Sequence, residues 1–220
     1  MSTVVNENRD GISGAEQRVT ELIRGVIVRG EYAPNQRLIE ADLSATFSAS
    51  RAAVRTALLR LANEGLVERL PNRGSRVRAV SLEEAIEILE VRIGVECLCA
   101  AKAAERITDT QQNEFAQLRE EMITAVSEGD LVEYSRLNQL LDLRVREISE
   151  HATAAAVIER LHAQSVRHQF KLSGRPRRAK VSVLEHAAII DAIVARDPDA
   201  ARNAVETHLK SVIAALRSLD

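Results

Sequence analysis

From Ser81 to Asp220 the chain repeats one pattern, apolar residues at helical spacing broken only by helix-start signals, and that leaves little besides an all-helical domain. Ser81 with Glu84, Thr108 with Gln111 and Ser182 with Glu185 stand three apart, the spacing at which side chain and backbone cap one another reciprocally. Asp197 before Pro198 is a further start, because proline's fixed φ suits the first helical turn. These signals predict six helices, over about 81–106, 108–128, 130–150, 152–172, 182–196 and 198–219, with residues 173–180 (SGRPRRAK) as the one obvious loop.

The first 80 residues read differently. Val19, Leu22, Ile23, Val26 and Ile27 follow one helix face and the segment ends at Gly30. A short helix fits Glu40 to Phe47, and a third begins at Ser50, whose hydroxyl can cap the following turn, and runs to about Asn63. Leu66 to Leu70 and Ser75 to Val80, joined by Pro71, Asn72, Arg73 and Gly74, have the form of a β-hairpin. The expected fold class is therefore mainly α: a disordered leader at 1–14, a winged helix-turn-helix of three helices plus a β-hairpin wing at 15–80, and an all-α six-helix bundle at 81–220.

Net charge is only -2, but it is uneven. Residues 1–80 carry 12 Arg against 9 acids, while residues 81–220 carry 18 basic against 23 acidic groups, so the front half is the nucleic-acid candidate. With Tyr32, Phe47, Phe115, Tyr134 and Phe170 as the entire aromatic set, single-strand binding on stacked aromatic platforms is disfavoured. Cys97 and Cys99 fall on nearly opposite faces of one helix and read as core residues of a reducing compartment. The polar N-terminus lacks the apolar core of a signal peptide and no later run is long enough to span a bilayer, so the expected location is cytoplasmic with no membrane partner.

On the third helix Arg51 and Arg55 stand one turn apart on one side, while Val54, Leu58 and Leu61 form an apolar stripe. A guanidinium there can bond guanine O6 and N7 in bidentate fashion or clamp phosphate, and the small Ala52 and Ala53 permit close approach to a groove floor. Seven arginines from Arg51 to Arg78 face only Glu64 and Glu68 in that window. The bland alternative is a solvated face in a chain holding 26 Arg and 4 Lys.

The stretch from Ile27 to Val77 resembles the DNA-binding domain of the GntR family, on Arg37-Leu38, Glu40, Leu43, Ser50-Arg51, Val54-Arg55, Ala57-Leu58, Leu61, Glu64-Gly65-Leu66-Val67, Gly74 and Val77. The resemblance implies that Ser50, Arg51 and Arg55 contact operator phosphates and bases, and that Asn72, Arg73 and Gly74 reach the minor groove. Two departures stand out. Pro34-Asn35 replaces Pro-Gly, which asparagine's tolerance of positive φ permits, and Ala41 stands where some relatives carry an arginine.

The second half resembles the FCD ligand-binding domain of the FadR subfamily, on Arg92 with Glu96 and on Ser182 to Leu209. Many such domains hold a divalent metal through an Asp and a His one turn apart plus two later histidines. Here Asn138 and Asp142 take the first pair's places, with His186 and His208 after them. The resemblance thus implies a two-histidine, one-carboxylate set of Asp142, His186 and His208, with Asn138 as a weak donor, suited to zinc, nickel, manganese or iron. The alternative leaves both histidines as pocket residues that bind an acidic effector or satisfy buried hydrogen bonds. Among apolar neighbours, Arg92 is costly unless it meets an anion, either Glu96 or a small carboxylate effector, with Arg167 as a second candidate. His151 sits at a helix end, and His162 and His168 do not share a face well. Together these readings predict a homodimeric, ligand-responsive regulator of an operator in double-stranded DNA, on family grounds a repressor. A metal-dependent enzyme and an effector-independent architectural DNA-binding protein are the alternatives.

Overall fold

The computed structural model describes residues 4–71, 73–173 and 176–218, and of 4–13 and 165–176 the backbone alone. Two compact units divide at Val80 and Ser81.

In the first unit the order is α1 (Val4–Val28), β1 (Arg37–Leu38), α2 (Glu40–Thr46), α3 (Arg51–Asn63), β2 (Val67–Leu70) and β3 (Gly74–Val77). The expected leader is thus helical from Val4, as an extension of α1. Once Val19, Ile23, Val26 and Ile27 are packed, each added residue gains a hydrogen bond without a new nucleation cost, and no proline intervenes. Leu22, expected on the buried face, is 41% exposed at its edge. α1 packs on α3, whose Val54, Leu58 and Leu61 are buried as the stripe predicts. Arg24 ties α1 to the end of α3 with a fork onto Glu64, Nε to Oε2 at 3.0 Å and Nη2 to Oε1 at 2.7 Å.

The hairpin pairs Val67 with Val77 and Leu70 with Gly74, and β1 adds a third strand along β3, giving the order β1-β3-β2. A two-residue strand carries no periodicity, which is why β1 is invisible in the sequence. Before it, Asn35 adopts φ 64, the left-handed conformation anticipated for Pro34-Asn35, and its amide bonds the Val77 carbonyl at 2.9 Å.

The second unit consists of α4 (Leu82–Arg106), α5 (Asp109–Glu128), α6 (Leu131–Ser149), α7 (Ala152–Ser173), α8 (Pro176–Val194) and α9 (Pro198–Arg217). Ser81 caps α4, Thr108 and Gln111 form a complete capping box on α5, and Asp197 caps α9. α4 runs through the centre, against α6, α7, α8 and α9, with buried Ala100, Ala101, Ala103 and Ala104 letting neighbours approach. Leu89, Phe115, Met122, Leu137, Leu141, Ile190 and Ile193 fill the main core. Cys97 belongs to that core and Cys99 to a separate cluster with Ala154 and Ile158, the opposite-face placement expected of them.

One boundary differs. α8 starts at Pro176, so the loop expected over 173–180 shrinks, and Ser182 with Glu185 lies inside the helix rather than at its start. Pro176 is the first helical residue, where a missing N–H costs nothing. Arg178 and Glu185, two turns apart, bond across the early helix with Nη2 to Oε2 at 2.8 Å. No helix among the described residues is long and apolar enough to cross a membrane.

Candidate nucleic-acid interface and buried polar cluster

The Ser50 hydroxyl accepts from the Ala53 amide at 3.1 Å, closing the N-terminus of α3. This orients the first turn so that Arg51, Ala52 and Arg55 are exposed while Ala53 turns inward and is buried. Ala53 therefore presents no side chain to a groove. The four-residue spacing places Arg51 and Arg55 together, but a methyl two positions after Arg51 falls on the core side.

The arginine strip is partly neutralised from outside the window. Glu40 on α2 accepts Arg55 Nε at 3.2 Å and Nη2 at 2.9 Å, Arg60 pairs with Glu16 of α1, and Arg76 pairs with Glu68 directly across the hairpin. Among the described residues Arg51, Arg69 and Arg73 make no ion pair, and all three are exposed. In the wing Gly74 takes φ 84, the conformation that turns β2 back onto β3. Asn72 lies outside the described residues.

In the second unit a chain of polar side chains runs through the helical core. Arg92, 3% exposed, donates from Nε to Glu96 Oε1 at 2.6 Å, and the same oxygen meets His162 Nε2 at 3.2 Å. Burial pushes the Glu96 carboxyl upward, but the charges of Arg92 and His162 and their bonds outweigh it and hold Glu96 well below the usual carboxylate range. Arg92 Nη1 is buried without a partner. The Glu96 pairing and the unfilled donor thus coexist on one guanidinium.

On α6, Tyr134, Asn138 and Asp142 stand four apart on one face. Asn138 Oδ1 is buried and unpartnered. Burial raises Asp142 above the ordinary carboxylate range, Glu96 adds to this, and His162, Arg92 and Arg146 oppose it. Tyr134 OH lies 2.9 Å from His186 Nδ1. The His186 ring is fully buried, and burial with His208 and Arg178 pushes it well below its ordinary value, so it is neutral. His208 packs against it with the rings tilted by 49° and their centroids 4.4 Å apart, and engages Glu185 Oε2 through Nδ1 at 2.8 Å. Arg178 completes this end, bonding Glu185 and, at 2.8 Å, Ser211 Oγ.

Of the expected metal residues the structure brings His186 and His208 together, and among the described residues no three His, Cys, Asp or Glu side chains gather as ligands. On the same face of α6, Asn138 is a neutral donor, and the Asp142 carboxyl feels the charges of His162, Glu96 and Arg92. His186 and His208 nonetheless keep Nδ1 engaged, the arrangement that leaves Nε2 available.

The Arg167 and His168 side chains lie outside those described. His151 caps α7, its Nδ1 accepting from the Ala154 amide at 3.2 Å. Tyr134, Arg178 and Glu185 carry more of the cluster than the sequence reading gave them. The i, i+4, i+8 spacing of Tyr134, Asn138 and Asp142 was a usable signal for the first of these.

Residues 87–211 match the FCD domain family and residues 15–77 match the family described as bacterial regulatory proteins, gntR family. The chain is 28% identical to the HTH-type transcriptional repressor RspR of Escherichia coli (strain K12), over 92% of this chain and 89% of that protein. It is 30% identical to the HTH-type transcriptional repressor NanR of Klebsiella aerogenes, over 92% and 85%. Among solved structures, E. coli McbR/YncC superposes with a TM-score of 0.80 at 23% identity, covering 93% of this chain and 98% of that one. A putative GntR regulator from Rhodococcus sp. RHA1 gives 0.76 at 21%, over the same shares.

Proposed function

The chain belongs to the GntR family of bacterial DNA-binding transcriptional regulators and carries an FCD domain, and from that premise we propose a homodimeric repressor released from its operator by a small carboxylate. Membership of this family sets the metal-dependent enzyme aside. One recognition helix reads only a few base pairs, so two copies on a pseudo-palindrome are the economical arrangement. α3 would enter the major groove with Arg51 and Arg55, Ala52 allowing close approach, while Arg73, Gly74 and Asn72 would follow the minor groove. The relatives named as repressors support the sign of control.

The observation that carries the effector reading is Arg92 Nη1, a cationic donor buried without a partner. Such a group is costly to leave unmade, and a carboxylate is the anion that fits a guanidinium edge. A ligand that meets it better in one dimer arrangement than in another shifts operator affinity by that difference alone. This also separates the reading from an architectural DNA-binding protein, which predicts no small-molecule effect.

The test is operator binding by the full chain with and without a panel of small carboxylates, beside Arg92→Met. Release by a carboxylate in the wild type and none in Arg92→Met is the expected outcome. A ligand that stabilises the fold but leaves operator affinity untouched counts against the sensor role. In the DNA arm, Arg51→Ala with Arg55→Ala abolishes sequence preference, and a double variant that still selects the same site would show that α3 has been misassigned.

The paired imidazoles favour a second reading of the same cluster, a divalent ion (zinc, nickel, manganese or iron) on Nε2 of His186 and His208 with Asn138 Oδ1 as the oxygen donor. Elemental analysis of protein purified without chelator decides it. Less than about a tenth of an equivalent, unchanged by His186→Ala, removes the metal.

A further inference from the structure

Glu40 is an acidic side chain in a basic face. It stands beside Arg51, Arg55 and Arg69, each of which draws its carboxyl below the usual range, and its charge opposes any phosphate that approaches them. The pair it makes with Arg55 is largely exposed, 64% on the arginine side, and exposed pairs contribute little to folding. At the first residue of α2 a carboxylate also gains modestly from the helix dipole, a gain that does not account for its placement against Arg55.

The geometry does. Two parallel bonds, Nε to Oε1 at 3.2 Å and Nη2 to Oε2 at 2.9 Å, occupy one edge of the Arg55 guanidinium. Of its five N–H groups, two are used. The outer edge, formed by Nη1 and the second N–H of Nη2, stays open, and two donors side by side are what guanine O6 and N7 accept. A long arginine side chain is costly to immobilise, and a side chain already held in one orientation loses less on binding.

We propose that Glu40 is a specificity-determining positioning residue, which fixes the Arg55 fork so that its free edge meets a guanine, at the expense of some attraction to phosphate. The proposal rests on α3 being the recognition helix. It makes α2 part of the reading apparatus through a side chain that touches no base.

The experiment uses the full chain and an operator selected from a random duplex pool. Arg55→Ala first identifies the guanine whose replacement no longer matters. Glu40→Gln, checked for folding by circular dichroism, is then expected to cut discrimination at that same base pair by on the order of tenfold. Binding to non-specific duplex stays equal or rises, because a negative charge is gone. In the Arg55→Ala background Glu40→Gln should add no further loss. Discrimination within twofold of wild type in Glu40→Gln, with Arg55→Ala losing it, overturns the positioning role. A loss at a different pair, at a cytosine, shows that Glu40 accepts from the base directly and also overturns it. If Arg55→Ala discriminates like wild type, the parent reading of α3 falls and this proposal with it.

Discussion

Replacing Glu96 with Gln tests the idea that Arg92 is a buried charge held in place by one carboxylate. The pair is 2.6 Å from Nε to Oε1, with side-chain exposures of 3% and 17%. Glutamine keeps the shape and one acceptor but removes the charge opposite the guanidinium. Unit charges about 4 Å apart at an effective dielectric of roughly 20 attract by about 4 kcal/mol, in line with the ~3–5 kcal/mol lost when one partner of a buried pair is removed. For a domain of this size that corresponds to a fall of about 10 °C in the unfolding midpoint. Thermal and urea unfolding at pH 7, followed by circular dichroism, measure it, and Arg92→Met in the Glu96→Gln background should restore part of the loss. The pH dependence supplies a second arm. Glu96 titrates lower in the fold than in the unfolded chain, so its contribution is complete above the unfolded carboxylate value of about 4.3 and is lost as pH falls below it. Glu96→Gln should lack that component. A loss under about 1 kcal/mol would place the pair in the range of exposed ion pairs, and Arg92 Nη1 would no longer count as a costly orphan awaiting an anion.

Three further outcomes follow from the same reasoning. Because buried His186 stays neutral, the unfolded chain takes up a proton below about pH 6.5 that the fold refuses, so wild-type stability declines from there downward; His186→Gln should flatten that slope, and an unaltered slope would mean the ring protonates in place. Asn35 sits at φ 64, so Asn35→Val should cost about 1–2 kcal/mol in urea unfolding of the full chain while Asn35→Gly is close to neutral; equal effects would place the strain elsewhere. Phe115, 1% exposed in the bundle core, should lose about 3–5 kcal/mol on replacement by Ala, and a loss under about 1 kcal/mol would indicate a core that collapses around the cavity.

The bundle was legible because its signals are local. Ser81, Thr108 and Asp197 satisfy backbone amides within their own first turn, and the apolar spacing follows from 3.6 residues per turn whatever the partner helix is. The α3 stripe and the Asn35 turn were readable on the same grounds. Local signals misled where two meanings compete: Pro176 marks a helix start as readily as a break, Ser182 with Glu185 repeats a capping spacing inside α8, and Ala53 lies next to an exposed alanine but on the core side of α3.

The candidate sites divide in the same way. Sequence alone determined that Arg51 and Arg55 share a helix face and that Arg92 stands one turn from Glu96, since both relations lie within a single helix. Only the tertiary structure decided that Arg55 is held by Glu40 from α2, that His162 joins Glu96, and that His186 and His208 pair without the expected carboxylate. Those contacts join residues 15, 66 and 22 positions apart in the chain. Helical periodicity fixes the face on which a side chain stands, but which distant side chain it meets depends on how whole helices pack.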